Sequence, residues 1–489
     1  MRSRTCSVLI ALHMFGCSSS ESPSSAAKSD ASTPPGTKGD AAISGDSGPR
    51  VGRDAGPSSG GKGGAGGQGG QGGKGGSNSS NESDAGGEPS TLKPTCVGTK
   101  PLDAYVADPK LCAYVFAEDL GSARQLAFAP NGDLFVNNHS VTVLWDEDGD
   151  GFSSASERAV FGEAQGLNHG IAFSPDNKFV YVSSGTTVYR YAYKSGQRST
   201  EAGARQTVIS GIPTGGHDSR PLAFDSKGRL YVTIGSAGNV DTKPADIELR
   251  SQIRRYQLPE TLPQGGITYP GDGELIASGM RNESGLFVDA QDRLWGVENG
   301  RDNLSDENLG GDIHNDNPGE EVNLVDGQGS KFYGYPSCFS EHTVNGGKGK
   351  GTQWADESMS GDLRKTDAFC SDPAEVHPPA FVMPAHWAPL GLIMYSGRSL
   401  PYTGDLIIGA HGSWNRSPAT GRVVARAKVQ GTTVSDLQVI LGQKNSSGEL
   451  QQGSWNVRPV DVRQGPDDAV YISDDQGGRI IKLGYKAGG

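Results

Sequence analysis

The sequence predicts an all-β fold, a six-bladed β-propeller carried behind a disordered Gly/Ser-rich linker. Three observations predict it. A hairpin-like motif recurs six times after residue 96, helical 3.6-residue periodicity is nearly absent over the same stretch, and the glycine excess is gathered mostly in one segment ahead of it.

Residues 1–17 read as an export signal. Arg2 and Arg4 precede a short apolar stretch, residues 6–15, too short to span a bilayer. The stretch ends at Gly16 and Cys17, and a polar serine run follows. This resembles a bacterial lipoprotein signal, in which cleavage frees Cys17 for diacylation, although Met14 and Phe15 stand where Leu and a small residue are commoner. The expected location is the bacterial cell envelope, with membrane contact only through the lipid, or secretion if Cys17 carries none. No other apolar run approaches membrane length.

Residues 18–95 contain 20 glycines and no aromatic residue. Such a segment cannot bury enough apolar surface to offset its ordering entropy, so it is expected to be a flexible tether. The folded domain is expected over 96–489. Of six cysteines, Cys96, Cys112, Cys338 and Cys370 remain beyond the signal. An even number in an oxidising compartment implies two disulfides, with three connectivities open; Cys96–Cys112 and Cys338–Cys370 close local loops and are favoured.

The repeat copies are RQLAFAPNGDLFV (124–136), HGIAFSPDNKFVYV (169–182), RPLAFDSKGRLYV (220–232), SGLFVDAQDRLWGV (284–297), LGLIMYSGRSLPYTGDLII (390–408) and RPVDVRQGPDDAVYI (458–472). Each alternates apolar positions on both sides of a tight turn, as a β-hairpin does. Six such hairpins suit a propeller, in which sheet faces are buried against neighbouring blades; a β-sandwich is the alternative. The long gap 298–389 is expected to hold loop insertions on one face. Net charge is −12, which argues against nucleic acid as a partner.

Four segments narrow the reading: GGHDSRPLAF (215–224), GMRNESGLFVD (279–289), ENGRDN with PGEEVNLV (298–325) and HGSWNR (411–416). Together they resemble the pyrroloquinoline quinone (PQQ)-dependent sugar dehydrogenases, most closely the L-sorbosone and pyranose dehydrogenase branch and more distantly soluble glucose dehydrogenase. The resemblance implies a PQQ and calcium enzyme that oxidises aldoses or sugar aldehydes and passes electrons to an acceptor. It makes His217 the base that takes the hydroxyl proton, with a titration of the ordinary histidine type expected in the pH–rate profile. Asp218 is a candidate to orient the imidazole. It places Arg281 and Asn282 against the quinone, where a guanidinium would stabilise developing negative charge, and gives Arg458, with Arg124 in the equivalent first-blade position, to the cofactor carboxylates. His411, Trp414 and Asn415 would stack on or hydrogen-bond to the flat cofactor. The segment departs here from the Lys-bearing one of soluble glucose dehydrogenases. One calcium would take the backbone carbonyls of Gly300 and Arg301, the latter more often Pro in the family, with Glu321 supporting the loop. His314, Asp316 and Glu320 belong to a polar insertion read as solvated.

A second calcium site is read without the family. DEDGDGFSSASE (146–157) puts Asp146, Asp148 and Asp150 at loop positions 1, 3 and 5, Gly151 at 6 and Glu157 at 12, the EF-hand ligand spacing. The flanks are strand-like, so no helix–loop–helix is implied. Two other functions compete: a propeller binding module without cofactor, and a calcium-dependent hydrolase of lactonase type, which needs several carboxylates converging on one channel metal.

Overall fold

The first repeat becomes a four-stranded antiparallel sheet, Leu126–Phe128, Leu134–Asn137, Val141–Leu144 and Arg158–Gly162. The structure is a computed structural model and describes residues 95–201, 203–325, 327 and 329–486. Each further repeat supplies the two innermost strands of another sheet. The inner strands are Leu167–Phe173, Leu222–Phe224, Glu283–Val288, Pro389–Met394 and Pro459–Gln464. Successive inner strands pack side by side, and the last lies against the first, so six blades close a ring. The sixth blade takes its outer strand, Leu111–Ala117, from the start of the domain. This closes the ring with chain from both ends, as do the bonds between Thr95 and Tyr485.

The blades are apolar on both faces. In the second strand of the first blade, Leu134 and Val136 enter the cluster shared with the sixth blade, while Phe135 between them enters the cluster shared with the second. Val470, Tyr471 and Ile472 alternate in the same way. Six clusters fill the six blade interfaces. That arrangement explains why the second strands are continuous apolar runs rather than alternating ones. The aspartates closing the inner strands build the turns: Asp289 accepts from the backbone of Gln291 and Arg293 and from the side chains of Arg293 and Trp295.

Both favoured disulfides are present, with Cα separations of 5.9 Å for Cys96–Cys112 and 5.7 Å for Cys338–Cys370. The expectation for 298–389 needs correction. Besides insertions, this stretch carries two strands of the fourth blade, Glu320–Val325 and Phe381–Met383. Its short polar strand pattern did not match the repeat. Among the described residues no helix is long and apolar enough to cross a membrane. Cys17 and the linker up to residue 94 lie outside the described residues.

Candidate active site

In every blade the inner strand begins, and the second strand ends, at the same edge of the ring. Residues just before an inner strand and just after a second strand are therefore gathered at one mouth of the channel. That edge collects Arg124, His217, Arg281, Asn282, Gly300, Arg301, His411 and Arg458 from five different blades. The Asp146 loop joins a third strand to a fourth and so lies at the opposite edge.

His217 is held twice by Ser236. Its backbone N–H donates to the Ser236 carbonyl at 2.9 Å, and its Nδ1 lies 2.7 Å from Ser236 Oγ. The Ser236 hydroxyl donates to the Gly238 carbonyl at 2.7 Å, so Oγ is left to accept. The network thereby assigns the proton to Nδ1 and leaves Nε2 with a free lone pair. Burial, reinforced by the charge of Arg281, lowers the imidazole pKa to about 3. This corrects the expected histidine-type titration: the group is neutral throughout the physiological range. Gly235 makes the contact possible, because a Cβ there would stand 2.6 Å from His217 Cβ. Asp218 does not orient the ring; its carboxylate accepts from Gly215 N–H at 3.1 Å and pairs with Arg220 at 3.2 Å.

Arg281 is buried, and its guanidinium donors are engaged by protein. Nε donates to the Asn239 carbonyl (3.0 Å), Nη1 to the carbonyls of Asn299 (3.2 Å) and Gly300 (2.7 Å), and Nη2 to Asn239 Oδ1 (3.0 Å) and Asp302 (3.2 Å). The side chain ties the 299–302 loop to the third blade and acts on its surroundings by charge rather than by open donors. Asn282 donates to Asn299 Oδ1 at 3.0 Å. Arg301 pairs with Asp356 and donates to Ser358 Oγ at 3.0 Å. The Gly300 carbonyl, with a guanidinium donor on one lone pair, does not fit as half of a calcium cradle: a fixed positive charge sits beside the oxygen the cation would need.

The carboxylate supporting this loop is Glu320, which accepts from Gly300 N–H at 2.8 Å and Ala388 N–H at 3.1 Å. Glu321, expected in that role, points to the other face of the strand, as a neighbouring residue must. There it forms a cross-strand row with Glu283 and Glu298, shared by the amide of Asn323. Burial pushes the carboxyls of this row up, and pushes Glu320 up to about 8.

The other part of the mouth is differently made. Asp475 binds Arg124 at 2.6 Å and His411 Nε2 at 2.8 Å. Although burial works against it, these partners hold its carboxyl down to about 2. Arg124 also donates to His169 Nδ1 at 3.1 Å, and His169 Nε2 reaches the Ser284 carbonyl at 3.1 Å across the channel. Arg458 uses Nε on the His411 carbonyl at 3.1 Å, while its two terminal nitrogens have no hydrogen-bond partner among the described residues. An open guanidinium fork beside neutral imidazoles fits a planar cofactor that carries carboxylates.

Asn415 exchanges two hydrogen bonds with Asn303, at 2.9 and 2.8 Å, and Trp414 is exposed. In the insertion, Asp316 pairs with Arg416, and His314 with Asp312. The carboxylates of Asp146, Asp148 and Glu157 lie within 4.8 Å of one another, whereas Asp150 stays outside this group and accepts from Phe152 N–H at 2.7 Å. Gly151 has φ +81° and packs its open side against Val97, as the sharp turn requires. Sequence reasoning missed His169, Ser236, Asn239, Asp302 and Asp475. His169 was detectable, since HGIAF aligns with RQLAF and RPLAF and puts it in register with Arg124, Arg220 and Arg458. The others are defined by three-dimensional contacts.

A family model described as TrAA12-like matches residues 105–486. The chain is 31% identical over 305 residues to the pyrroloquinoline quinone-dependent sugar dehydrogenase of Hypocrea jecorina, a match covering 58% of this chain and 68% of that one. It is 30% identical over 307 residues to the pyrroloquinoline quinone-dependent pyranose dehydrogenase of Coprinopsis cinerea, covering 60% of this chain and 39% of that relative's length. Among solved structures, the calcium structure of a Trichoderma reesei carbohydrate-active enzyme of family AA12 superposes with a TM-score of 0.69 at 26% identity, over 80% of this chain and 98% of that one. The holo PQQ domain of the Coprinopsis cinerea pyranose dehydrogenase shares the fold, with a TM-score of 0.68 at 24% identity over 79% and 98% of the two chains.

Proposed function

The chain belongs to the TrAA12-like family, and from that premise we propose that it is a PQQ-dependent dehydrogenase that oxidises the C–OH group of a sugar. The observation that carries the reading is the pairing, at one mouth, of a half-buried neutral imidazole with a free Nε2 and a guanidinium with an open fork. PQQ, when bound, supplies the hydride acceptor. Arg458, with Arg124 behind it, holds the cofactor's carboxylates. His217 Nε2 receives the hydroxyl proton as hydride leaves the substrate carbon. Ser236 keeps that nitrogen unprotonated by engaging Nδ1, and burial, which lowers the imidazole pKa to about 3, favours the neutral ring. Arg281 fixes the loop that forms the wall of the site.

The hydrolase reading finds no support at this mouth. Among the described residues, the one close group of three metal-ligating side chains is Asp146, Asp148 and Glu157, at the opposite edge. We propose that this loop binds a structural calcium, and that export leaves the protein anchored through Cys17. The test of the central reading is titration of the purified protein with PQQ, followed by absorption spectroscopy and dye-coupled assay with aldoses. Uptake of PQQ with sugar-dependent bleaching of the dye is expected. Failure to take up PQQ would hand the fold to the binding-module reading.

A further inference from the structure

Residues 411–417 follow the second strand of the fifth blade and lean over the 299–316 loops. The segment is tightly pinned. Ser413 exchanges hydrogen bonds with Thr420, at 3.1 Å in each direction. Asn415 is paired with Asn303, Arg416 donates to the Asn315 carbonyl at 2.9 Å, and Ser417 N–H donates to Asn315 Oδ1 at 3.0 Å. Trp414 is the large hydrophobic side chain of this run that is left exposed. It is 76% exposed, against at most 8% for Trp295, Trp354, Trp387 and Trp455. Leaving an indole in water forgoes the burial of a large apolar surface. Here the surrounding bonds hold it out rather than letting it fold down. The place is also specific: Asn303 adjoins Asp302, which binds Arg281, so the ring stands on the rim of the same mouth.

We propose that Trp414 is a saccharide-stacking platform outside the reaction centre, which binds a second pyranose unit of an oligosaccharide whose terminal unit enters the channel. The inference rests on the sugar reading above and deepens it to a substrate class. A rigid flat apolar surface flanked by amides matches a glucopyranose ring. With its hydroxyls equatorial, that ring presents a face of axial C–H bonds to an aromatic ring and directs its polar groups to the rim. A β-linked glucan keeps such faces on successive units. A monosaccharide short enough to sit wholly in the channel would not reach the platform.

The test uses the full-length protein with cellotriose and glucose as probes. Because Trp414 is the most exposed of the tryptophans, acrylamide quenching reports chiefly on it. Cellotriose, more than glucose, is expected to protect the fluorescence of the cofactor-free protein, and Trp414→Ala to abolish that protection. In the PQQ-loaded enzyme, Trp414→Ala should raise KM for cellotriose about 10-fold with kcat unchanged, and shift KM for glucose by less than about twofold. Trp414→Phe should restore most of the affinity. Equal KM changes for both sugars, or protection that persists in Trp414→Ala, would overturn the platform while leaving the dehydrogenase reading intact. Protection by cellotriose in a protein that takes up no PQQ would support the platform and sink the oxidoreductase reading instead.

Discussion

Asp475 and Glu320 stand at the same edge of the propeller, the first half-buried and the second buried, and burial decides the state of only the second. Asp475 has Arg124 and His411 as partners and stays ionised, its pKa near 2. Glu320 receives only two backbone N–H groups, and desolvation carries it to about 8. The same contrast extends to the arginines. Arg281, beside Glu320, has its donors engaged, whereas Arg458, beside Asp475, has its fork open. One part of the mouth is a wall whose arginine donors are taken up by protein, and it frames the proton acceptor. The other is a balanced charge network with one cation left over to hold an anionic ligand.

The largest effect should come from the proton-accepting side. His217→Ala should lower kcat by about 100- to 10,000-fold while PQQ uptake stays unchanged, because the open fork is untouched. A variant that lost PQQ together with activity would erase the division between the two parts. The converse change, Arg458→Ala, should weaken PQQ binding by about 10- to 100-fold in spectroscopic titration, the scale of a lost charge-assisted bidentate contact.

The two carboxyls also give opposite pH signatures. The folded pKa of Glu320 lies above its unfolded value near 4.5, so its contribution is fully present below about 4.5 and is lost as pH rises toward 8. Asp475 is depressed from 3.8 to about 2, so its contribution is present above about 3.8 and is lost as pH falls toward 2. In melting experiments Glu320→Gln should flatten the decline between about pH 5 and 8, by at most about 1.4 kcal/mol per pH unit. Asp475→Asn should instead flatten the acid side. If Glu320→Gln leaves the neutral slope unchanged, the desolvated wall is not as dry as its geometry implies.

Ser236→Ala sharpens the assignment of the base. It frees Nδ1 and lets the imidazole change tautomer, so a fall in kcat of about 10-fold is expected, with PQQ affinity preserved. The smallest effect should come from the far edge. Chelation should lower the melting temperature by a few degrees, and Asp148→Ala should remove that response without changing kcat. Asp150→Ala should leave it nearly intact, since Asp150 stands outside the carboxylate group.

Much of the fold was legible because each blade repeats a local code. A turn with Asp, Asn or Gly and the apolar alternation around it are read within about a dozen residues, and the six hairpins fell where that code placed them. The third and fourth strands of the fourth blade were hidden, because a strand recruited from an insertion need not carry the repeat. At the site, His217 and Arg458 were readable from motifs. The role of Arg281 was not, because its donors are distributed over Asn239, Asn299, Gly300 and Asp302, which no sequence spacing links.

The sequence by itself determined the number of blades and favoured, among three connectivities, the disulfide pairing that the structure has. These follow from local periodicity and short loop closures, both of which act over small separations. Tertiary structure alone decided which carboxylate carries the Gly300 loop, which arginine keeps a free fork, and which nitrogen of His217 is open. Those outcomes depend on desolvation and on hydrogen bonds between residues as far apart as Arg124 and Asp475, brought together only when the ring closes.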